Sequence, residues 1–237
     1  MLAKNDVEWL EARYSQLSPN AEGTKVAGAL PFAGAYEKTS NKFTLIEAGD
    51  TSKHTGIILS GSYNIAIEKS PDPERLPRLY VNDETLPHIA DRHFYPNQTN
   101  QPACVCGIVE EARFLSEGFD FKKYLEEYVI PFLYGQKYYD AHGEWPWRDY
   151  AHDTAGALES YFFDGSPEFI STILKQLRAM TGDWERVKSI LESIDQPKGH
   201  ILCFCKRHDH IRRCHPDAWR GLIKLHTNLR NSRISIV

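Results

Sequence analysis

Three thiols and an imidazole fall within thirteen positions near the end of this chain, at Cys203-x-Cys205 and, after eight intervening residues, Cys214-His215. No other feature constrains the fold as strongly. A structural metal site takes four soft or borderline ligands in a tetrahedron, and two cysteines one residue apart can grip an ion from a tight turn. The segment is too small to bury a core, so the ion would supply its folding energy. The expectation is one zinc ion with no open coordination position, structural rather than hydrolytic. His208 and His210 lie between the two pairs and are the alternatives to His215. The chain has five cysteines. An odd number suits free or metal-bound thiols better than a disulfide framework.

Charge sets this segment apart. Residues 198–237 hold nine Lys or Arg and two Asp, a net +7, against −11 on the residues before them. Such asymmetry marks a distinct module, either a solvated knuckle or a surface for nucleic acid or an acidic partner. No apolar run approaches membrane-spanning length, and no hydrophobic stretch follows Met1, so no membrane partner is expected and the cytoplasm is the expected location.

Ahead of it, Asp6 to Leu17 has the three- and four-residue spacing of an amphipathic helix, with Val7, Leu10, Tyr14 and Leu17 on one face and Asp6 as its cap. Strand-like runs follow over Lys25–Tyr36, Lys42–Ala48 and Gly56–Glu68, separated by turn residues. Pro71 to Gly107 holds six prolines and little periodicity, and loops this long in compact domains are usually functional. Helices are expected over Phe119–Tyr139, kinked at Pro131, then over Tyr150–Phe163, Pro167–Leu177 and Asp183–Ile194. Pro197-Lys198-Gly199 reads as a linker. The fold class expected is α+β, divided into residues 1–163, a helical extension over 164–197 and the knuckle over 198–237.

The long loop contains His93-Phe94-Tyr95-Pro96-Asn97 and then Ala103-Cys104-Val105-Cys106-Gly107. A cysteine nucleophile needs a thiolate, some exposure and a polar neighbour for the developing oxyanion, and a loop on a rigid sheet can supply these. Cys106 is the rival nucleophile. Cys104 and Cys106 could instead be a redox pair, half of a second metal site, or simply packed thiols. His142 and His152 flank the Trp145-Pro146-Trp147 turn, either shaping the rim of a site or capping helices, while His54 and His88 read as surface residues.

Two resemblances follow from these residues. Cys203, Cys205, Cys214 and His215 resemble the SEC-C zinc motif, as do Arg212 and Arg213 before the second pair. Lys206-Arg207-His208 stands where that family has Gly-Ser-Gly. Residues 1–160, read as helix, antiparallel meander, loop with His and Asn, cysteine and helices, resemble the ubiquitin-conjugating (E2) family, especially its bacterial members. Leu79-Tyr80-Val81 is similar to the strand before the active-site loop, Cys104-Val105 to the Cys-Leu pair, and His93 with Asn97 to the His-Pro-Asn motif, here with Phe94-Tyr95 inserted before Pro96.

The resemblance implies a ubiquitin-conjugating-like fold in which Cys104 carries a protein C-terminus as a thioester and passes it to an amine. His93 or Asn97 would orient the loop or hold the oxyanion. It further implies an activating-type (E1-like) partner. The acyl donor would be a ubiquitin-like protein or a cGAS-like nucleotidyltransferase, as in the cyclic-oligonucleotide antiphage systems called CBASS. Two other classes remain open: a non-catalytic adaptor docking protein or nucleic acid through the basic knuckle, and a cysteine hydrolase pairing Cys104 with His93.

Overall fold

The computed structural model of the chain describes residues 1–47, 54–95, 100–147, 149–205, 207, 209–232 and 234–236. Its contacts form two compact units, residues 1–105 with 118–149, and residues 106–117 with 150–237.

The first unit opens with helix α1, Lys4–Arg13. Asp6 is not its cap. It sits in the first turn and accepts the Ala3 backbone N–H at 2.8 Å. The helix also stops short of Leu17, because Tyr14 leaves the helical region at φ −131° and ψ 57°. Leu17 instead begins strand β1, Leu17–Pro19, where it is buried.

Strands β2 (Lys25–Glu37), β3 (Lys42–Leu45), β4 (Ile57–Glu68) and β5 (Arg78–Val81) complete an antiparallel sheet in the order β1-β2-β4-β5. β3 shares with β1 the edge of β2 away from β4: β1 pairs with residues 26–28 and β3 with residues 34–37. Pro31 lies between those two stretches, a fitting place for a residue that cannot donate to a ladder. The strand expected over Lys42–Ala48 ends at Leu45, with Ile46 and Glu47 beyond it, and Ala48 lies outside the described residues.

Inward-facing Val26, Leu30, Tyr63, Ile65, Ile67 and Leu79 form the sheet side of the core. Helical residues cover it in three stretches without a break: α3 (Phe121–Tyr124), a π-helical turn (Leu125–Val129) and α4 (Ile130–His142). Asp120 caps this run, accepting the N–H groups of Lys122 and Lys123. Pro131 falls at the start of α4, just after the π turn. The wider turn accommodates a residue with no N–H and a bulky ring, so the expected proline irregularity takes this form.

The second unit is helical: α2 (Ile108–Ser116), α5 (Asp153–Asp164), α6 (Ile170–Ala179), α7 (Trp184–Glu192), α8 (Ile211–Cys214) and α9 (Pro216–Asn231). α5 and α9 approach so closely that a Cβ on Gly221 would lie 1.9 Å from the Leu158 carbonyl oxygen. One apolar cluster joins Val109, Leu158, Leu174, Val187, Phe204, Ile211 and Leu222.

The grouping differs from the one read from sequence. Residues 150–163, expected in the first domain, pack with 164–197 and the knuckle as one core. The reason is that α5 is buried along most of its length, at Thr154 to Tyr161, and only neighbours on several sides can cover it. Helices α2 and α9 were not among the expected elements. Asp183 precedes α7 but makes no cap; its carboxylate accepts the Thr154 hydroxyl at 2.9 Å.

Candidate metal centre and cysteine site

The segment around Cys203 turns back on itself through a bridge between Leu202 and His210. Cys203 N–H donates to the Asp209 carbonyl at 2.8 Å, and Ile211 N–H to that of Ile201 at 2.9 Å. Ile211 and Phe204 anchor the turn in the unit's core. α8 then delivers Cys214, and His215 stands at the junction of α8 and α9, where Pro216 starts the longer helix. In this way two short-range contacts and one helix junction bring four donors to one point.

The donor atoms of Cys203, Cys205, Cys214 and His215 all lie within 4.8 Å of one another. Cys203 Sγ is 3.1 Å from His215 Nδ1, and Cys205 Sγ is 3.2 Å from Cys214 Sγ. A tetrahedral ion with metal–sulfur bonds of about 2.3 Å needs donors roughly 3.5–3.8 Å apart, so small outward shifts admit one ion. The cluster could hold one metal ion. His210 is not part of it; its ring meets the His200 carbonyl instead. His208 lies outside the described residues.

The surroundings set the protonation of the four donors. Burial pushes the Cys203 thiol up, although its sulfur accepts the Cys205 N–H. Burial and the neighbouring thiols push Cys214 up to about 12. Burial alone would raise Cys205 too, but the Arg207 N–H and the thiols of Cys214 and Cys203 bring it below its ordinary value. Burial and the charge of Arg207 lower His215, which keeps its imidazole neutral and able to bind metal. Three sulfurs this close cannot all hold negative charge in the absence of a cation, and a divalent ion resolves that conflict by displacing the protons.

In the first unit, a turn over Ala90–Arg92 leads to His93, whose backbone is left-handed at φ 56° and ψ 42°. A non-glycine residue held there stores backbone strain, and the surroundings must fix it. They do so from α4 and the turn after it: buried Gln136 donates to the Arg92 carbonyl at 2.9 Å, and Trp145 Nε1–H to the Asp91 carbonyl at 3.1 Å. Buried Phe94 stacks on His88 at 4.2 Å and meets Phe132 edge-on.

Across from this strip lies the cysteine segment. Phe94 and Ala103 form an antiparallel bridge, flanked by Tyr95 N–H to Pro102 O at 3.0 Å and Cys104 N–H to His93 O at 2.7 Å. Ala103 N–H also donates to the Leu79 carbonyl at 2.8 Å, which ties the segment to β5.

The structure therefore brings His93 and Cys104 together as bridge neighbours. Cys104 is partly exposed, and the Tyr95 hydroxyl donates to its Sγ at 3.1 Å. The His93 ring packs 4.5 Å from Trp145, and its Nε2 lies 3.0 Å from Asp149 Oδ1. Asn97 and Pro96 lie outside the described residues. Cys106 is partly exposed as well and belongs to the second unit. The His142 ring packs at a tilt on Tyr138 at 4.2 Å in the last turn of α4, and His152 stands at the cap position of α5, where its side chain makes no capping hydrogen bond.

Sequence reasoning missed Tyr95 and Asp149. Tyr95 lay inside the quoted motif and could have been noted as the nearest hydroxyl. Asp149 is fifty-six residues from His93 and carries no spacing signal.

No protein-family model, no curated protein and no solved structure matches this chain. Its class is set by its own coordinates: a mixed α+β chain with an antiparallel sheet, a helical second unit and a Cys/His cluster able to hold a metal ion. Among the described residues no helix is long and apolar enough to cross a membrane.

Proposed function

We propose that the chain is a cysteine acyl transferase of the E2-like kind, with Cys104 as its carrier and a structural zinc in its C-terminal knuckle. The observation that carries the transferase reading is the surrounding of one sulfur. Cys104 is a partly exposed residue whose Sγ accepts a hydroxyl hydrogen bond from Tyr95, and it sits on a strip bridged to His93. The order of helix, antiparallel sheet, tethered cysteine segment and helices supports a ubiquitin-conjugating-like architecture for the first unit.

In the first step the Cys104 thiolate attacks the carbonyl of a protein C-terminus held as a thioester on an activating (E1-like) enzyme. A new carbon–sulfur bond forms, the donor's breaks, and the donor sulfur leaves as a thiolate. In the second, an amine attacks the Cys104 thioester, a carbon–nitrogen bond forms, and the Cys104 sulfur departs as thiolate. His93 takes the amine proton, and Tyr95 donates to the developing oxyanion. The acyl protein is a ubiquitin-like protein or a cGAS-like nucleotidyltransferase of an antiphage (CBASS) system. The cytoplasm is its proposed location.

Incubation with an activating enzyme and a candidate acyl protein tests this. A covalent adduct removed by reductant and absent in Cys104→Ala is the expected result, and Cys104→Lys should trap a stable amide. An adduct that survives in Cys104→Ala overturns the assignment and leaves the adaptor alternative.

The His93–Asp149 contact favours a second reading, a cysteine hydrolase, because it supplies the orienting carboxylate that such an arrangement requires. A preformed Cys104 thioester that water cleaves rapidly without any amine would support hydrolysis over transfer.

Zinc is the proposed ion because three thiolates and one imidazole in a closed set of four suit it. Elemental analysis should find about one zinc per chain in the wild type and none in Cys203→Ser.

A further inference from the structure

Zinc bound by three thiolates and one neutral imidazole carries a net single negative charge. Cys203 and Phe204 are buried in the second unit, and Cys205, Cys214 and His215 are partly buried. An uncompensated charge on a partly buried centre is unfavourable, so a cation should stand near it. Arg207 gives its backbone N–H to Cys205 and its charge to His215, but its own side chain is exposed to solvent.

Arg186, on α7, is placed differently. Its guanidinium carbon lies 4.4 Å over the ring of Phe204, the residue between the first two cysteines. Its Nη2 is buried and has no hydrogen-bond partner among the described residues. A buried guanidinium nitrogen without an acceptor is expensive unless an anion stands in the same surroundings.

We infer that Arg186 is the counter-cation of the metal–thiolate centre, an outer-sphere residue that Phe204 holds in place and that tightens metal binding through its charge. In the metal-free chain the same arginine is a burial cost; with zinc bound it becomes a compensation. This ties the loading of the knuckle to the position of α7.

Zinc competition between the whole chain and a chromogenic chelator tests the inference in wild type, Arg186→Met, Arg186→Lys and Arg207→Gln. Arg186→Met should weaken zinc binding about ten- to a hundredfold, the usual effect of removing an outer-sphere partner, while the metal-free form melts no lower than wild type. Arg186→Lys, which keeps the charge, should bind close to wild type, and Arg207→Gln should lose less than Arg186→Met. Equal affinity in Arg186→Met and wild type overturns the inference. So does equal weakening in the Met and Lys variants, which would mark a role of shape alone. Should Arg186→Met not fold, the lysine variant decides: retained affinity supports a charge role and a tenfold loss overturns it. A wild-type chain that takes up no zinc overturns the inference together with the zinc proposal, a result distinct from the others.

Discussion

Replacing Tyr95 by Phe removes one hydroxyl and leaves the ring. That hydroxyl donates to Cys104 Sγ at 3.1 Å, so it favours the charged thiolate over the thiol. Hydrogen bonds to charged groups contribute about 1.5–3 kcal/mol. Tyr95 is 38 % exposed, so solvent takes part of that, and about 1 kcal/mol is the proper expectation. At 1.36 kcal/mol per tenfold, this corresponds to roughly a fivefold loss of thiolate at a pH where the thiol predominates. The assay is the rate of alkylation by iodoacetamide in a Cys106→Ser background with the knuckle loaded with metal, so that Cys104 is the reporting thiol. Tyr95→Phe should react about fivefold more slowly, with a melting temperature close to that of its parent. Equal or faster alkylation would refute the claim that this contact activates the sulfur.

Asp149→Asn should spare formation of the Cys104 adduct and slow its transfer to an amine about tenfold, below the usual range for a general base because Asp149 is more than half exposed; single-turnover kinetics from the isolated adduct measure it. Gly221→Ala should destabilise the second unit by about 1–3 kcal/mol or more, since its new Cβ would meet the Leu158 carbonyl; thermal melting reads the loss. Metal occupancy should fall as the pH is lowered from neutral to about 5. The sign follows from Cys203 and Cys214, whose thiols are pushed up in the metal-free fold and so hold their protons against the ion. Dialysis against zinc at graded pH, followed by elemental analysis, checks this, and an occupancy that rises on acidification contradicts it.

The metal cluster was legible because its ligands are close in sequence and few chemistries need three thiols and an imidazole so spaced. The strands were legible too: β2 and β4 alternate or run apolar for twelve or more residues, and their bounds fall within a residue of those expected. The end of α1 was not legible, because Leu17 continues the helical spacing while its burial comes from strand pairing. α9 carried its own signal, with Pro216 in the first turn and Ala218, Leu222, Leu225 and Leu229 on one face. The allocation of α5 could not be read from sequence, since a helix buried on several sides does not announce which neighbours cover it. For the cysteine site, the segment's position was readable from its residues, but Asp149 and the anchoring of the His93 turn by Gln136 and Trp145 depend on tertiary contacts more than forty residues apart in sequence.

Cys104 as an acyl carrier is the claim on which the functional account rests. Intact-mass measurement of the chain, taken under non-reducing conditions after exposure to an activating enzyme and a candidate acyl protein, tests it most directly. The account predicts one added protein per chain, mapped by digestion to Cys104 and released by hydroxylamine. An unmodified mass at Cys104 beside an adduct on Cys106 or a lysine would contradict it.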